Sequence, residues 1–298
     1  MHRKYRMTLL LVMLAAAVGL WLWRHRWPAV PSHEDKWVWQ PAFVGVELAA
    51  MFTAKYGTQH MVAARIDLTA PGIQLRASEG LPPDNGLLTG RNLPAETTSS
   101  TTAEWLGASG CQLAINAAPW CHVVDTSGVP LATHGLHVSH GIVHSATEPL
   151  YNVVAVRPGN DVTITSPDAD FAGVQEAVSG FELIVGDGKV LDHVRRNPDA
   201  APRTAVGLSA DRKTMYWLVV DGRQLGYGEG VSLLQLAEIM LGLGAHAAIN
   251  LDGGGSSTMV RAVADGQAEL LNWPIHAGKP GQMRANANHL GLWAQPLP

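Results

Sequence analysis

The sequence predicts an α+β fold, a mixed β-sheet core with few helices, in a single domain that follows an N-terminal transmembrane segment. Three observations carry this expectation. Short runs rich in β-branched and aromatic residues recur along the chain and are punctuated by Asp-Gly pairs, which favour hairpin turns. The clearest helical stretch combines an apolar stripe with caps at both ends. No segment repeats and no internal linker divides the chain, and 298 residues with 47% hydrophobic content are enough for one large core.

Arg3, Lys4 and Arg6 lie in residues 1–6, and residues 7–23 form an uncharged, almost wholly apolar run of 17, just long enough to span a bilayer as a helix. Basic residues before the run favour a cytoplasmic residue 1–6 segment and an exported remainder, a bias weakened by Arg24 and Arg26 behind it. A signal peptide cleaved near Ala15-Ala16-Ala17 is the other reading, and it too exports the domain. Residues 24–40, with Pro28 and Pro31, read as a tether, and residues 41–298 as the folded domain. The expected location is the periplasmic face of a bacterial inner membrane, on a single span. The net charge of −4, with no long basic run after the N-terminus, argues against a nucleic-acid partner. Cys111 and Cys121 are the only two cysteines. In an oxidising compartment they could close a small loop around Asn116 or remain as buried thiols, and spacing alone leaves both open.

Within the domain, residues 60–78 alternate apolar and polar positions on either side of Pro71-Gly72, as a β-hairpin does. Further strands are expected at 112–115, 153–156, 161–165, 181–185, 204–208, 215–220, 247–251 and 257–260. Turns are expected at Asp187-Gly188, Asp221-Gly222 and Asp265-Gly266. Residues 81–102, rich in Gly, Pro, Ser and Thr, read as a long loop leading to a short helix at 102–107. The main helix is expected at 233–243, with Ser232 and Gln235 as a capping box, an apolar stripe of Leu233, Leu236, Ala237, Met240 and Leu241, and Gly242 or Gly244 as terminator.

The chemistry concentrates after that helix, in Asn250-Leu251-Asp252-Gly253-Gly254-Gly255-Ser256-Ser257. Three glycines between two apolar strands are costly to order, so they indicate a close approach to the backbone, with N–H groups turned toward an anion. Asp252 adds a carboxylate, and Ser256 and Ser257 add hydroxyls. Arg203, opening the strand after Pro202, can present a forked cation to a phosphate or carboxylate. Arg223 follows the Asp221-Gly222 turn and adds to a positive site. Asn116 ends the run Ala114-Ile115-Asn116 before a small-residue bend. Arg284, Asn286 and Asn288 alternate along what reads as a final strand, where they form one polar face. Five histidines lie between 122 and 144, but the three-residue spacing of His134, His137 and His140 puts neighbours on opposite faces of a strand. They are read as surface or pocket-rim groups, with His122 the nearest in sequence to Asn116; no metal site and no cofactor is expected.

Taken in order, INAAPW, PRTAVGL, VDGR, SLLQLAEIMLGLGA, NLDGGGSSTM and RANANHLG resemble the phosphodiester glycosidase family, which includes N-acetylglucosamine-1-phosphodiester α-N-acetylglucosaminidase, over about residues 60–294. The resemblance implies a hydrolase that cleaves the glycosidic bond of a sugar-1-phosphodiester in a glycan or glycolipid, releasing free sugar and a phosphomonoester. It implies Asp252, Arg203 and Asn116 as catalytic residues. For substrate binding it implies Asp221, Arg223, Asn250, Gly253, Gly254, Gly255, Ser256, Ser257 and Asn288. Two stretches depart from the family pattern: Ala117-Ala118-Pro119-Trp120 stands where glycine and an aromatic are usual, and Asn286 stands where an apolar residue is common. In such a reaction the acidic phosphate leaves readily, so the work is to neutralise it and to stabilise positive charge at the anomeric carbon. Arg203, Arg223 and the glycine-loop N–H groups suit the first task. Asp252 suits the second, as nucleophile or as the base that activates water. Two other classes share these residues, a carbohydrate- or phosphate-binding module without turnover and a phosphodiesterase that releases sugar phosphate.

Overall fold

The computed structural model describes residues 35–82, 85–263 and 267–298. The chain divides into two units, residues 1–33 and 34–298, and the described residues belong to the second. The transmembrane segment expected at 7–23 and the Asp265-Gly266 turn lie outside the described residues. Among those described, no helix is long and apolar enough to cross a membrane.

The architecture is β-rich with two α-helices among the described residues, Thr102–Ser109 and Leu233–Leu243. The largest sheet orders its strands Gln40–Phe43, Val46–Thr53, Gln59–Asp67, Thr214–Val220, Arg203–Leu208, Ala247–Asn250, Leu183–Gly186 and Lys189–Val190. A second sheet is built around Asn152–Arg157 and Glu176–Gly180, and a third around Leu113–Asn116, flanked by Met259–Ala262 and His289–Trp293. The ladders of all three are antiparallel, which corrects the expected mixed sheet. Antiparallel pairing needs no helical crossover, and it holds here both for hairpin neighbours such as Arg203–Leu208 with Thr214–Val220 and for strands far apart in sequence such as Gln59–Asp67 with Thr214–Val220.

The central strands are buried on both faces, and the period of two sorts their side chains. Val62, Ala64 and Ile66 enter a core shared with Leu113, Ile115 and Leu290 of the third sheet and Val154 and Val178 of the second. Met61 and Ala63 point the other way, into a cluster with Leu233, Leu236, Ala237 and Met240. That helix forms where its pattern places it: Ser232 and Gln235 make the capping box, and Gly244 ends it at φ 108°. The other helix covers the outer side of the third sheet, with Trp105 and Leu106 packed against Ala114 and Val260. A Thr101–Glu104 capping box starts it, and Gly110 at φ 72° ends it after Ser109, two residues beyond the expected end.

Two turn readings change. Asp187-Gly188 does close a two-residue hairpin, with φ of 50° and 68° at its two positions. Pro71-Gly72 does not. The strands on either side of it, Gln59–Asp67 and Gln74–Ala77, lie in different sheets, the second pairing with His289–Trp293. The alternating pattern is the same for a hairpin and for two strands facing each other across a core, and here Ile66 and Leu75 meet in that core. Asp221-Gly222 is not an exposed hairpin turn either, because Asp221 is 1% exposed and serves as an internal acceptor.

Cys111 and Cys121 are both free thiols. Cys111 is packed with Trp105 and Leu106, whereas Cys121 borders a separate cluster around Leu88 and Ala132. Burial pushes the Cys111 thiol up to about 11. We expect a thiol reagent at neutral pH to label Cys121 alone in the native protein and both cysteines after denaturation. Mass spectrometry checks this, and a native protein that takes no label but gains two on reduction would establish a disulfide instead.

Candidate active site

The loop 251–258 carries the chain from the large sheet into the third sheet, and Asn116 pins it where the two meet. Asn116 is fully buried at the end of its strand. Its Nδ2 donates to the Asp252 carbonyl at 2.6 Å, while its Oδ1 accepts from Thr204 Oγ1 at 2.7 Å and from the Thr258 N–H at 3.1 Å. Backbone bonds finish the attachment, from Leu251 N to Thr204 O, Asp252 N to Ala117 O and Gly254 N to Pro202 O.

The glycines serve a purpose other than a ring of free N–H groups. The loop closes as a short 3₁₀ turn over Gly254–Ser256, so the N–H groups of Ser256 and Ser257 bond the carbonyls of Gly253 and Gly254. What approaches the backbone is arginine. A Cβ on Gly254, which sits at φ 61°, would lie 3.1 Å from the Arg223 guanidinium, and a Cβ on Gly255 would lie 2.5 Å from that of Arg284. Arg223 itself adopts φ 59°, a strained conformation for a non-glycine residue that directs attention to function.

Asp252, half-buried, lies at the junction of two adjoining lobes of one cleft. The basic lobe, about 300 Å³, is lined by Arg203, Arg223, Asn250, Gly253, Gly254 and Gly255. The aromatic lobe, about 220 Å³, is lined by Pro119, Trp120, Val123, His134 and Tyr151. Phe181, Asp252 and Arg284 belong to both. Desolvation pushes the Asp252 carboxyl up to about 6, against the opposing pull of a hydrogen bond to Ser256 and the nearby Arg284 and Arg223. Its Oδ2 has no hydrogen-bond partner. Burial lowers the pKa of Arg203 and Arg284, and Arg223 lowers both further; Glu182 opposes this at Arg203, and Asp252 does so at Arg284. Arg203 is held by the Val231 and Asp199 carbonyls at 3.1 and 2.8 Å.

The remaining residues expected from sequence sit around this cleft. Asn250 donates to Glu182 Oε2 at 3.2 Å, and its own Oδ1 is unpartnered. Ser256 accepts from Arg284 at 3.3 Å, and Ser257 is buried beneath the loop. Asp221 lies underneath, accepting from Asn272 Nδ2 at 2.8 Å and the Trp273 N–H at 2.9 Å, with His60 Nδ1 at 2.6 Å. Asn288 is also interior, where its Oδ1 accepts from the Ala118 N–H at 3.4 Å. The stretch containing Arg284, Asn286 and Asn288 precedes the last strand instead of forming it. Asn286 and Asn288 turn inward as Arg284 turns into the cleft, so they are not the polar face of an edge strand. Sequence reasoning left Arg284 out of the site for that reason, and it missed Phe181, Trp120 and Tyr151 because nothing local links them. His122 contacts Cys121 Sγ at 3.0 Å. Among the described residues, no group of three His, Cys, Asp or Glu side chains could hold a metal ion.

The family model for phosphodiester glycosidases matches residues 109–293, more than half of the chain and every residue lining the cleft. The chain belongs to the phosphodiester glycosidase family. The zebrafish N-acetylglucosamine-1-phosphodiester alpha-N-acetylglucosaminidase catalytic domain, auto-inhibited by its pro-peptide, superposes with a TM-score of 0.58 at 17% identity, covering 90% of this chain and 87% of that one. A hypothetical protein from Synechocystis superposes with a TM-score of 0.57 at 14% identity, covering 86% of this chain and 64% of that one. At these identities the likeness is one of fold. No curated protein matches the chain.

Replacing Asn116 by Ala strands the Thr258 N–H, the Thr204 hydroxyl and the Asp252 carbonyl away from water. We expect a loss of about 3 kcal/mol, since each stranded buried group costs about 1–3 kcal/mol and the loop partly relaxes. Urea unfolding measures it, and a loss below about 1 kcal/mol would show that the staple is dispensable.

Proposed function

We propose that this protein is a glycosidase that hydrolyses the bond between an anomeric carbon and a phosphodiester, releasing free sugar and a phosphomonoester. The observation that carries the reading is the pairing of one carboxylate, Asp252, whose Oδ2 is left without a partner, with three arginines converging on the same cleft. Arg203, Arg223 and Arg284 neutralise the departing phosphate, and Arg203 and Arg284 are half-buried, so their charge is less screened than at the surface. Asp252 faces the anomeric carbon, as nucleophile or as the base for an attacking water, and the anomeric form of the first product separates these routes. Asn116 acts by positioning Asp252. The apolar run at 7–23 supports action on an envelope glycan or glycolipid outside the cytoplasm, at the periplasmic side of an inner membrane.

Incubating the purified protein with UDP-N-acetylglucosamine and a panel of sugar phosphodiesters, with products identified by mass spectrometry, tests the reaction. Free sugar with a phosphomonoester is the expected outcome. Sugar phosphate would make the enzyme a phosphodiesterase, and binding without any product would make it a binding module. Asp252→Asn is expected to cut turnover by about 10²–10⁴-fold, and Arg203→Ala to cost about 2–5 kcal/mol in kcat/KM. Unchanged kinetics in either variant would remove that residue from the mechanism.

Two pH effects follow from the raised Asp252 pKa. In either role the carboxylate must be ionised, so kcat/KM is expected to fall as pH drops below about 6. Stability moves the other way. The folded state holds this proton more tightly than the unfolded chain, so the Asp252 contribution is greatest below pH 3.8 and declines until pH exceeds about 6. The decline amounts to roughly 3 kcal/mol at most. Asp252→Asn is therefore expected to raise Tm at pH 8 relative to the parent and to lose that advantage at pH 4. Equal Tm differences at the two pH values would mean that the carboxyl is not held above its ordinary range.

A further inference from the structure

We propose that the aromatic lobe is a sugar-ring subsite specific to a single pyranose, with Trp120 and Phe181 as its platform, so that the substrate lies across Asp252 with its phosphate in the basic lobe. The chemistry at the junction rests on the glycosidase reading; the binding mode does not.

Charge divides the cleft. Arg203 and Arg223 belong to the basic lobe alone, whereas the aromatic lobe has the shared Arg284 offset by the shared Asp252, and a histidine, His134, backed by the Glu148 carboxylate at 3.4 Å. An anion is therefore drawn to the first lobe and a neutral group to the second. The second is also shaped for a ring. Tyr151 is fixed face to face with His134, at 5.0 Å and 7° between planes, and Phe181 packs against it at 5.7 Å. Aromatic faces locked in this way offer flat apolar area at little entropic cost, which suits the C–H face of a pyranose. Pockets for drug-sized ligands run to about 300–1,000 Å³, so a lobe of about 220 Å³ takes one ring and not an oligosaccharide.

Continuity with the phosphate lobe supplies the rest. Phe181 is attached to the loop strand by its N–H to the Asn250 carbonyl at 2.8 Å. Trp120 stands on the segment that begins at Asn116, and that segment is held by a bridge from Trp120 to Thr133 and by the His134 N–H on Pro119 O at 2.8 Å. Asn116 in turn holds the Asp252 carbonyl. Trp120 and the carboxylate are thus referred to Asn116, and Phe181 to Asn250 just ahead of Asp252, which sets the distance from sugar ring to reacting carbon.

Saturation-transfer NMR and steady-state kinetics with the α-linked methyl phosphodiesters of glucose, galactose, mannose and N-acetylglucosamine test the assignment on the purified protein. With the preferred sugar, ring protons are expected to take up more saturation than the methyl group. Trp120→Ala and Phe181→Ala are expected to raise KM by about tenfold or more with a smaller change in kcat, while the inhibition constant of inorganic phosphate stays put. Trp120→Phe should recover most of the loss. Arg223→Ala should do the reverse, weakening phosphate more than it alters the saturation pattern. Circular dichroism confirms that each variant is folded. Saturation centred on the methyl group, phosphate inhibition that weakens in step with KM, or no binding of any of the four esters would overturn the subsite. Hydrolysis by the parent with KM unmoved by Trp120→Ala would also overturn it and leave the glycosidase reading intact. Ring-centred binding without hydrolysis would do the opposite.

Discussion

One side chain joins the parts on which this molecule depends. The Asn116 amide uses its donor on the Asp252 carbonyl and its acceptor on Thr204 and Thr258, so one residue ties two sheets to the loop between them. An amide suits this position because it offers donors and an acceptor on one rigid plane. Asp or Leu in its place would leave buried polar groups unmet on at least one side. The carboxylate at the mouth of the loop inherits its placement from this buried bond network.

The cleft is built from groups that burial disfavours. Two of its guanidinium groups lose solvent, and the one carboxylate among them is held above its ordinary range. Such a cluster is tolerated because its charges are opposed and because planar arginines can lie flat on backbone that has no side chains. Here two of the three glycines are needed. Gly254 and Gly255 clear the space into which Arg223 and Arg284 settle, and a single methyl group on either would lift a cation away from the carboxylate.

Much of this was legible in the chain. The helix 233–243 has a capping box, an apolar stripe and a terminal glycine that agree with one another, and the Asp187-Gly188 hairpin has the residues that its turn requires. The strand Ala247–Asn250 and its glycine loop announce a site because so many glycines between strands have no packing purpose. The misreadings have a common cause. Periodicity reports which face of an element is buried, not which element it is buried against. The pattern around Pro71-Gly72 is therefore the same for a hairpin and for a crossing between sheets. Asp221 looks like a turn residue until the structure brings Asn272, Trp273 and His60 to it. The aromatic lobe draws Trp120, His134, Tyr151 and Phe181 from separate segments, and only the tertiary fold relates them.

The third sheet has a bearing on how the molecule comes into being. Its central strands, Leu113–Asn116 and His289–Trp293, are neighbours in space but far apart in sequence, with Asn116 directly opposite His289. Contacts so distant along the chain form late and slowly, since a long loop must close before they contribute. Asn116 therefore has no completed sheet beside it until the last strand emerges and docks. The cleft is accordingly expected among the last features to form, so that the Asp252 carboxylate and the arginines around it are brought together only once the two ends of this long loop have met.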